Sequence, residues 1–240
     1  MMTVMNQQDP QWLIAVGAVV LTCLALIVAW RISKRRAEAR REALRHQALM
    51  LGCAFEPQPM RLDRSESAIT DLHFTELLGS MRLFQKRRRP EISNRLSRAG
   101  EGGGTDWVFD FSYVTGSGKN RRTVRQTVAA HFEETLECPR FALQPEGLFS
   151  RIFDGADIDF DQDPEFSKKY LLKGDDASKL RQVFTPYVRS ELMQDPHWSI
   201  EAGGHAIVGW RSGHLVRPED LSTFLAVFRR VLEALRNELE

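Results

Sequence analysis

The apolar residues of this chain are most concentrated near its start, in an unbroken run over residues 12–30 that contains no Asp, Glu, Lys, Arg or His. A helix of this length, rising about 1.5 Å per residue, spans about 28 Å and matches the roughly 30 Å hydrocarbon core of a bilayer. Trp12 and Trp30 lie at its two ends, where indole rings favour the membrane interface. The pattern predicts a transmembrane helix over residues 12–30, preceded by a short extracytoplasmic segment, residues 1–11.

Positive charge is distributed unequally on the two sides of this run. Residues 1–11 contain no Lys or Arg, whereas the residues after the run contain seven cations against Glu38 and Glu42. The seven are Arg31, Lys34, Arg35, Arg36, Arg40, Arg41 and Arg45. Because basic flanks stay on the cytoplasmic side, we expect an uncleaved, single-pass anchor with its N-terminus outside and everything after Arg31 in the cytoplasm. The composition of residues 31–51 predicts a basic juxtamembrane helix, and its positive charge would attract anionic lipid head groups.

The next clear pattern is an alternation of apolar and polar residues that begins at Asp106. One face of it is aromatic, with Trp107, Phe109, Phe111 and Tyr113, which is the period of a half-buried strand. A second strand-like run, residues 122–132, follows the glycine-containing segment GSGKN, so a β-hairpin is predicted. Residues 52–105 are expected to be a linker that leads into the domain, and the pattern over 69–79 fits either a short helix or a strand.

Further elements follow this hairpin. We expect a strand at 141–143, a helix at 146–155, a strand over 168–174, a helix divided at Pro186 and a second hairpin over 197–216. The helix before Pro186 would be capped by Asp175 or Asp176. The final predicted helix carries one apolar stripe, made of Leu221, Phe224, Leu225, Phe228, Val231, Leu232, Leu235 and Leu239.

This order of elements predicts an α+β fold for residues 106–240. It favours a largely antiparallel β-sheet domain with helices packed on one side and an amphipathic C-terminal helix. A partly closed barrel capped by the last helix is the alternative arrangement.

The formal net charge of +1 conceals two segments of opposite sign. Residues 82–98 hold seven cations against Glu91, and residues 151–165 hold six carboxylates against Arg151. The cations are Arg82, Lys86, Arg87, Arg88, Arg89, Arg95 and Arg98, and the carboxylates are Asp154, Asp157, Asp159, Asp161, Asp163 and Glu165. The surface is therefore expected to carry separate positive and negative regions.

The acidic segment is the only candidate for metal binding. In a strand, Asp157, Asp159 and Asp161 would share one face about 7 Å apart, and such carboxylates repel one another unless a cation or water screens them. A calcium loop of the EF-hand type is excluded, because its sixth position would be Gln162 and its twelfth Lys168. A solvated edge beside cations of residues 82–98 is the simpler interpretation, and a divalent-metal or acid/base site is the alternative.

No complete catalytic or cofactor motif is present. GSGKN lacks both the first glycine and the final hydroxyl of a phosphate loop, so a turn is favoured, and no cofactor is expected. Cys23, Cys53 and Cys138 have no metal-ligand spacing and are expected to be reduced thiols. His205 and His214 lie near opposite ends of the second predicted hairpin, and their side chains would be able to lie close together in space. Whether the chain catalyses a reaction stays open.

The basic run Lys86, Arg87, Arg88 and Arg89 is a candidate for contact with phosphate groups. A single neighbouring aromatic residue, Phe84, is little support for stacking on bases, so no nucleic-acid partner is expected. The acidic segment, a protein partner or anionic lipid are the expected partners.

Four segments carry a resemblance to a known family. QPEGLF, DIDFD, DPEFSKKYLLKG and FDFSYVTGSGKNRRTVRQTV together resemble a family of uncharacterised bacterial proteins with one N-terminal span and a cytoplasmic domain. The resemblance extends from about Gly52 to the C-terminus and implies a bacterial origin and attachment to the inner membrane. The family has no assigned activity, so the resemblance transfers no catalytic residue.

These observations favour a membrane-anchored cytoplasmic module that binds or scaffolds a protein partner. One alternative is a membrane-tethered hydrolase or metal-binding enzyme that uses the aspartates of 154–163 with His205 or His214 nearby. The other is a sensor of anionic lipids that uses the cations of 31–45 and 86–89.

Overall fold

The computed structural model describes residues 11–62, 71–85, 87–100, 103–147 and 157–239, with side chains from residue 15 onward. By its internal contacts the chain divides into two units, residues 1–43 and residues 44–240.

The first unit contains most of a long helix, α1 (Gln11–Met50), which covers both the apolar run and the basic segment without a break. The most apolar part of α1 has a mean hydropathy of 2.2, and none of it is buried. By length and composition, α1 is therefore able to cross a membrane.

The second unit is built on one sheet of nine strands, every pair of which is antiparallel. The strands are β1 (Ala54–Glu56), β2 (Met60–Arg61), β3 (Arg88–Ala99), β4 (Thr105–Thr115), β5 (Arg122–Phe132), β6 (Cys138–Pro145), β7 (Tyr170–Gly174), β8 (Trp198–Gly204) and β9 (Ala206–Arg211). Their order across the sheet is β1-β3-β4-β5-β9-β8-β6-β7, and β2 pairs with β3. The predicted α+β class and antiparallel sheet are confirmed.

The described residues of the unit also form five α-helices. They are α2 (Leu72–Ser80), α3 (Pro164–Lys169), α4 (Ala177–Val183), α5 (Pro186–Met193) and α6 (Leu221–Arg236). Helices α2 to α5 each have an N-terminal cap, whose side chain accepts a hydrogen bond from a backbone N–H of the first turn. In chain order the capping residues are Asp71, Asp163, Asp176 and Thr185. Pro186 separates α4 from α5, as the sequence predicts.

The aromatic face of β4 packs against α2. Trp107, Phe109 and Phe111 are buried there, and Phe74 of α2 lies with its ring centroid 5.4 Å from that of Phe109. The open choice over residues 69–79 is thereby resolved as a helix for the described part, which begins at Leu72 and is capped by Asp71.

The opposite face of the sheet packs against α4, α5 and α6. The ring of Trp198 on β8 stacks on Phe224 of α6 at 4.6 Å, and the predicted apolar stripe of α6 is buried from Leu221 to Leu235. Helices α4 to α6 thus lie on one face of the sheet, and α2 lies on the opposite face.

The expectation about the segment before β4 needs correction. Residues 52–105, expected to be a linker, contribute β1, β2, α2 and β3, and the compact unit already begins at Leu44. The alternation in β3 is interrupted, because Arg89 and Asn94 have positive φ and the register with β4 shifts twice. The predicted helix over 146–155 falls mostly outside the described residues.

Candidate functional site

A concentration of positive charge lies where β3 begins and the β4–β5 hairpin turns. We call this surface the basic end, and its members are Arg87, Arg88, Arg89, Lys119, Arg121, Arg122 and Arg125. The antiparallel register assembles it, because Arg88 lies opposite Val114 and Arg122 lies opposite Thr115. Two segments that are well separated in the sequence therefore form one surface. Lys86, which belongs to the predicted basic run, lies outside the described residues.

The turn of the hairpin has a conformation that requires glycine. Gly116 has φ +76°, and a Cβ atom there would lie 2.3 Å from the carbonyl oxygen of Asn120. The 3₁₀ turn Gly118–Asn120 follows and leads into β5. GSGKN is therefore a hairpin turn, as predicted, and it places Lys119 and Arg121 on an exposed tip.

Two arginines of the basic end are held by the protein. Arg87 Nε donates to the carbonyl oxygen of Leu83 at 2.9 Å, and its guanidinium lies 4.5 Å from the ring centroid of Tyr113. Arg88 Nη1 donates to the carbonyl oxygen of Gly116 at 3.2 Å. These contacts fix the start of β3 against the hairpin.

The other cations of the basic end are exposed to solvent. Among the residues that the structure describes, no carboxylate lies within 4.0 Å of the charged groups of Arg89, Lys119, Arg121, Arg122 or Arg125. Like charges so close together repel one another, and a bound anion relieves that repulsion. The basic end is therefore suited to bind an anionic partner.

A buried carboxylate anchors the loop that leads into the basic end. Glu201 on β8 accepts hydrogen bonds from the backbone N–H groups of Arg82 at 2.6 Å and Leu83 at 2.9 Å. Burial raises the pKa of Glu201, although these hydrogen bonds and the charges of Arg82 and Arg87 act in the opposite direction. No sequence motif indicated this role for Glu201, because it depends on the position of β8 in the sheet.

The acidic segment lies at the far edge of the sheet. Residues 157–160 form no strand, but the Ile158 N–H donates to the Leu172 carbonyl oxygen of β7 at 2.8 Å. Ile158 is buried, while Asp157 and Asp159 are exposed. Burial and, secondly, the charge of Asp159 raise the pKa of Asp157. Asp154 lies outside the described residues.

The expected pairing of this acidic segment with the cations of residues 82–98 is wrong. β7 is the last strand of the sheet, so five strands separate it from β3. Asp163 instead binds Arg189 of α5, with Nε and Oδ2 2.7 Å apart, and Glu165 pairs with Lys168. Within the described ranges, no group of three or more His, Cys, Asp or Glu side chains is arranged to hold a metal ion. A role as metal ligands therefore remains a prediction for Asp157, Asp159 and Asp161.

The two histidines of the second hairpin do not meet. His205 is at the turn between β8 and β9, and His214 follows the other end of β9. His205 Nδ1 donates to the Leu136 carbonyl oxygen at 2.8 Å. The aspartates are beside β7, with β6 and β8 between β7 and β9, so the structure brings neither histidine to the acidic segment.

A buried polar network, which the sequence did not indicate, joins the end of the hairpin to α6. His131 Nδ1 lies 2.8 Å from Asp106 Oδ1, and its Nε2 lies 3.3 Å from Glu133 Oε2. Arg98 Nη2 is 3.0 Å from Asp106 Oδ2, and Arg236 Nη2 of α6 is 3.2 Å from Glu133 Oε2. These contacts connect β3, β4 and the residue after β5 to α6, so the network holds these elements together.

The cysteines offer no activated nucleophile. Burial raises the pKa of Cys138 to about 12, and burial also raises the pKa of Cys53. Neither thiol is therefore ionised at neutral pH. Cys23 is on the apolar part of α1.

The predicted lipid-facing cations lie on α1 between Arg31 and Arg45. All are exposed except Arg40, which is half-buried, and Lys34 Nζ lies 3.9 Å from Glu38 Oε1. An ion pair so exposed contributes little to stability.

Comparison with known proteins gives one informative result about the fold. No protein-family model and no curated protein matches the chain. The chain is similar in structure to the crystal structure of mycobacterial trehalose monomycolate transport factor A, with a TM-score of 0.56 and 13% sequence identity. The alignment covers 86% of this chain and 97% of that one. The two chains share a fold over nearly their full lengths.

Proposed function

We propose that this protein is a membrane-anchored binding module of the bacterial inner membrane that holds an acidic protein partner through its basic end. The observation that carries the proposal is a set of exposed cations with no carboxylate beside them in the described part of the chain, which the β3–β4–β5 register collects at one end of the sheet. They are Arg89, Lys119, Arg121, Arg122 and Arg125. The domain would lie in the cytoplasm, since the cations of residues 31–45 follow the apolar run directly.

Two further points support binding without catalysis. The described residues hold a structural charge network around His131 and thiols whose pKa values are raised, and neither is suited to nucleophilic attack. The fold neighbour is named a transport factor, a kind of role that binding alone is able to serve.

The test uses the full chain in nanodiscs of neutral phosphatidylcholine and a fluorescent octaglutamate peptide as the acidic probe. Replacing Arg121, Arg122 and Arg125 by Glu is expected to weaken peptide binding at least about tenfold, because attraction becomes repulsion. For the wild type, raising the salt from 50 to 500 mM should weaken binding strongly, since exposed charges are screened.

A matched control reverses the same number of charges elsewhere. Lys169, Lys179 and Arg181 are exposed residues near β7 and on α4, and their change to Glu is expected to alter peptide affinity by less than about twofold. Equal losses in both triple variants, or no peptide binding by the wild type, would overturn the proposal.

Anionic lipid is the second candidate partner, favoured by the exposed cations of α1 at residues 31–45. This function predicts that nanodiscs containing phosphatidylglycerol bury or protect the basic end, and that octaglutamate no longer binds once these lipids occupy it. Chemical modification of Lys119 in neutral and anionic nanodiscs distinguishes the two: protection by anionic lipid alone favours the lipid function.

A further inference from the structure

The outer edge of β5 is unpaired along the part of the strand that carries the basic end. β5 pairs with β4 along its full length, but it pairs with β9 only from Val128 to Phe132. In the described part of the chain, no strand borders residues 122–126 on the side of β9. An edge about 17 Å long is therefore open to another strand.

The backbone of this edge is oriented for pairing. The N–H groups of Thr127 and Glu133 donate to the carbonyl oxygens of His214 and His205, on the side of β9. Because backbone groups alternate in direction along a strand, Thr123 and Arg125 present their N–H and C=O groups to the same side. The segment after β9 thus follows β5 as far as Thr127, and from Gln126 back to Arg122 the hydrogen-bonding row of β5 continues with no strand beside it.

This edge lacks two of the features that usually prevent strand addition, a proline and a β-bulge, while its arginines oppose the addition of any strand that carries no negative charge. Residues 122–126 contain no proline, and the register with β4 has no bulge. Arg122 and Arg125 differ by an odd number of positions, so they lie on opposite faces of the sheet. An added strand would therefore find a cation on either face, with Lys119 and Arg121 at the hairpin tip.

We infer that the free edge of β5 binds an extended acidic segment of a partner protein as an additional antiparallel or parallel strand. Backbone hydrogen bonds to Thr123 and Arg125 supply affinity, and the arginines on both faces select acidic side chains. This inference rests on the proposed function and specifies how the acidic partner is bound.

The experiment separates strand pairing from charge attraction. The full chain in neutral nanodiscs is titrated with an eight-residue peptide of alternating Glu and Thr, and with the same peptide N-methylated at its four central residues. N-methylation removes the N–H donors and keeps every charge. We expect at least about tenfold weaker binding of the N-methylated peptide.

A variant of the protein gives the reciprocal test. Thr123→Pro removes one donor from the free edge, a position where proline is tolerated because that N–H faces away from β4. This variant is expected to bind the unmodified peptide about fivefold or more weakly than the wild type does. Its affinity for the N-methylated peptide should be unchanged. Near-ultraviolet circular dichroism and the Tm check that the variant folds.

Hydrogen exchange of the wild type provides a readout that needs no variant. Amide exchange in residues 122–127 should slow when the unmodified peptide is bound, and it should not slow with the N-methylated peptide. Equal affinity of the two peptides, or unchanged exchange in the bound state, would overturn strand addition and leave the proposed function standing. Failure of both peptides to bind, in a protein that binds octaglutamate, would also overturn it.

Discussion

Among polar side chains, those of the His131 network are expected to have a large effect on the stability of the second unit. His131 is almost completely buried and bridges Asp106 on β4 to Glu133, which in turn binds Arg236 of α6. Thr135 Oγ1 also donates to Glu133 Oε1 at 2.7 Å. Removal of one member takes a hydrogen-bond partner from a buried or half-buried charged group, and this costs more than the loss of a surface ion pair does.

His131→Ala tests the bridging role. We expect the free energy of unfolding to fall by about 2–4 kcal/mol, because Asp106 and Glu133 each lose a buried partner. For a domain of this size, that corresponds to a decrease in Tm of roughly 5–12 °C. The measurement is thermal unfolding of the full chain in detergent, followed by near-ultraviolet circular dichroism. His197→Ala, at an exposed histidine, is the control and should change the Tm by less than about 2 °C.

Glu133 makes the contribution of this network depend on pH. Burial alone would raise its pKa, but hydrogen bonds from Thr135 and His131 and the charge of Arg236 outweigh burial and lower it. Because the pKa of Glu133 is lower in the folded state than in the unfolded state, its ionisation stabilises the protein at pH values above the unfolded-state pKa, near 4.5. This stabilisation is lost as the pH falls through the folded-state pKa. The Tm of the wild type should therefore be higher than that of the Glu133→Gln variant at pH 7. The difference between the two Tm values should shrink below pH 4.5.

The neighbouring residue provides the control for this pH dependence. Glu134 has a side chain that is 76% exposed, and its partner, His73, is half-buried. Glu134→Gln should give a Tm difference that varies little over the same pH range. A difference for Glu133→Gln that stays constant from pH 7 to pH 3 would contradict the lowered pKa.

For whole elements, the success of sequence-based prediction depended on how regular each pattern is. The alternation of Trp107, Phe109 and Phe111 and the stripe of α6 follow ideal periods, so these elements were predicted correctly. β3 was missed, because the positive φ at Arg89 and Asn94 breaks its alternation. The charged network and the basic end were not predictable as units, because both depend on which strands are neighbours.

The contact between α6 and the sheet depends on a glycine in β9. A Cβ atom at Gly209 would lie 2.7 Å from Phe228 Cδ2 and 3.2 Å from Trp198 Cε3. Gly209→Ala should therefore destabilise the protein by about 1–3 kcal/mol, because two packed aromatic rings must move. Thermal unfolding of the full chain measures the effect.

The matched control places the same methyl group where space is open. Gly79 lies in α2, and a Cβ there would meet no atom within 4 Å. Gly79→Ala is expected to stabilise the protein by about 0.5–1 kcal/mol, because alanine favours the helix. Two glycine-to-alanine changes of opposite sign would identify close packing at Gly209 as the cause, and equal effects would contradict it.

In the whole molecule, charge is separated along the order of the strands. The basic end is on β3, β4 and β5, whereas the acidic segment borders β7 at the other edge of the sheet. The sequence showed that the two charged segments exist, but the pairing expected between them required knowledge of the strand order. Their separation leaves the basic end available for a partner, and the position of that partner in the cell depends on the topology of α1.

The orientation of α1 is the last prediction. Because seven cations follow the apolar run and none precedes it, a reporter fused after Glu240 is expected to be active only in the cytoplasm. Replacing Arg31, Lys34, Arg35 and Arg36 by Gln removes most of the charge next to the span, and adding four lysines before residue 11 reverses the asymmetry. That variant should move a measurable fraction of the reporter to the outside. A wild-type reporter active only outside, or release of the chain by alkaline carbonate, would contradict a cytoplasmic domain held by a transmembrane helix.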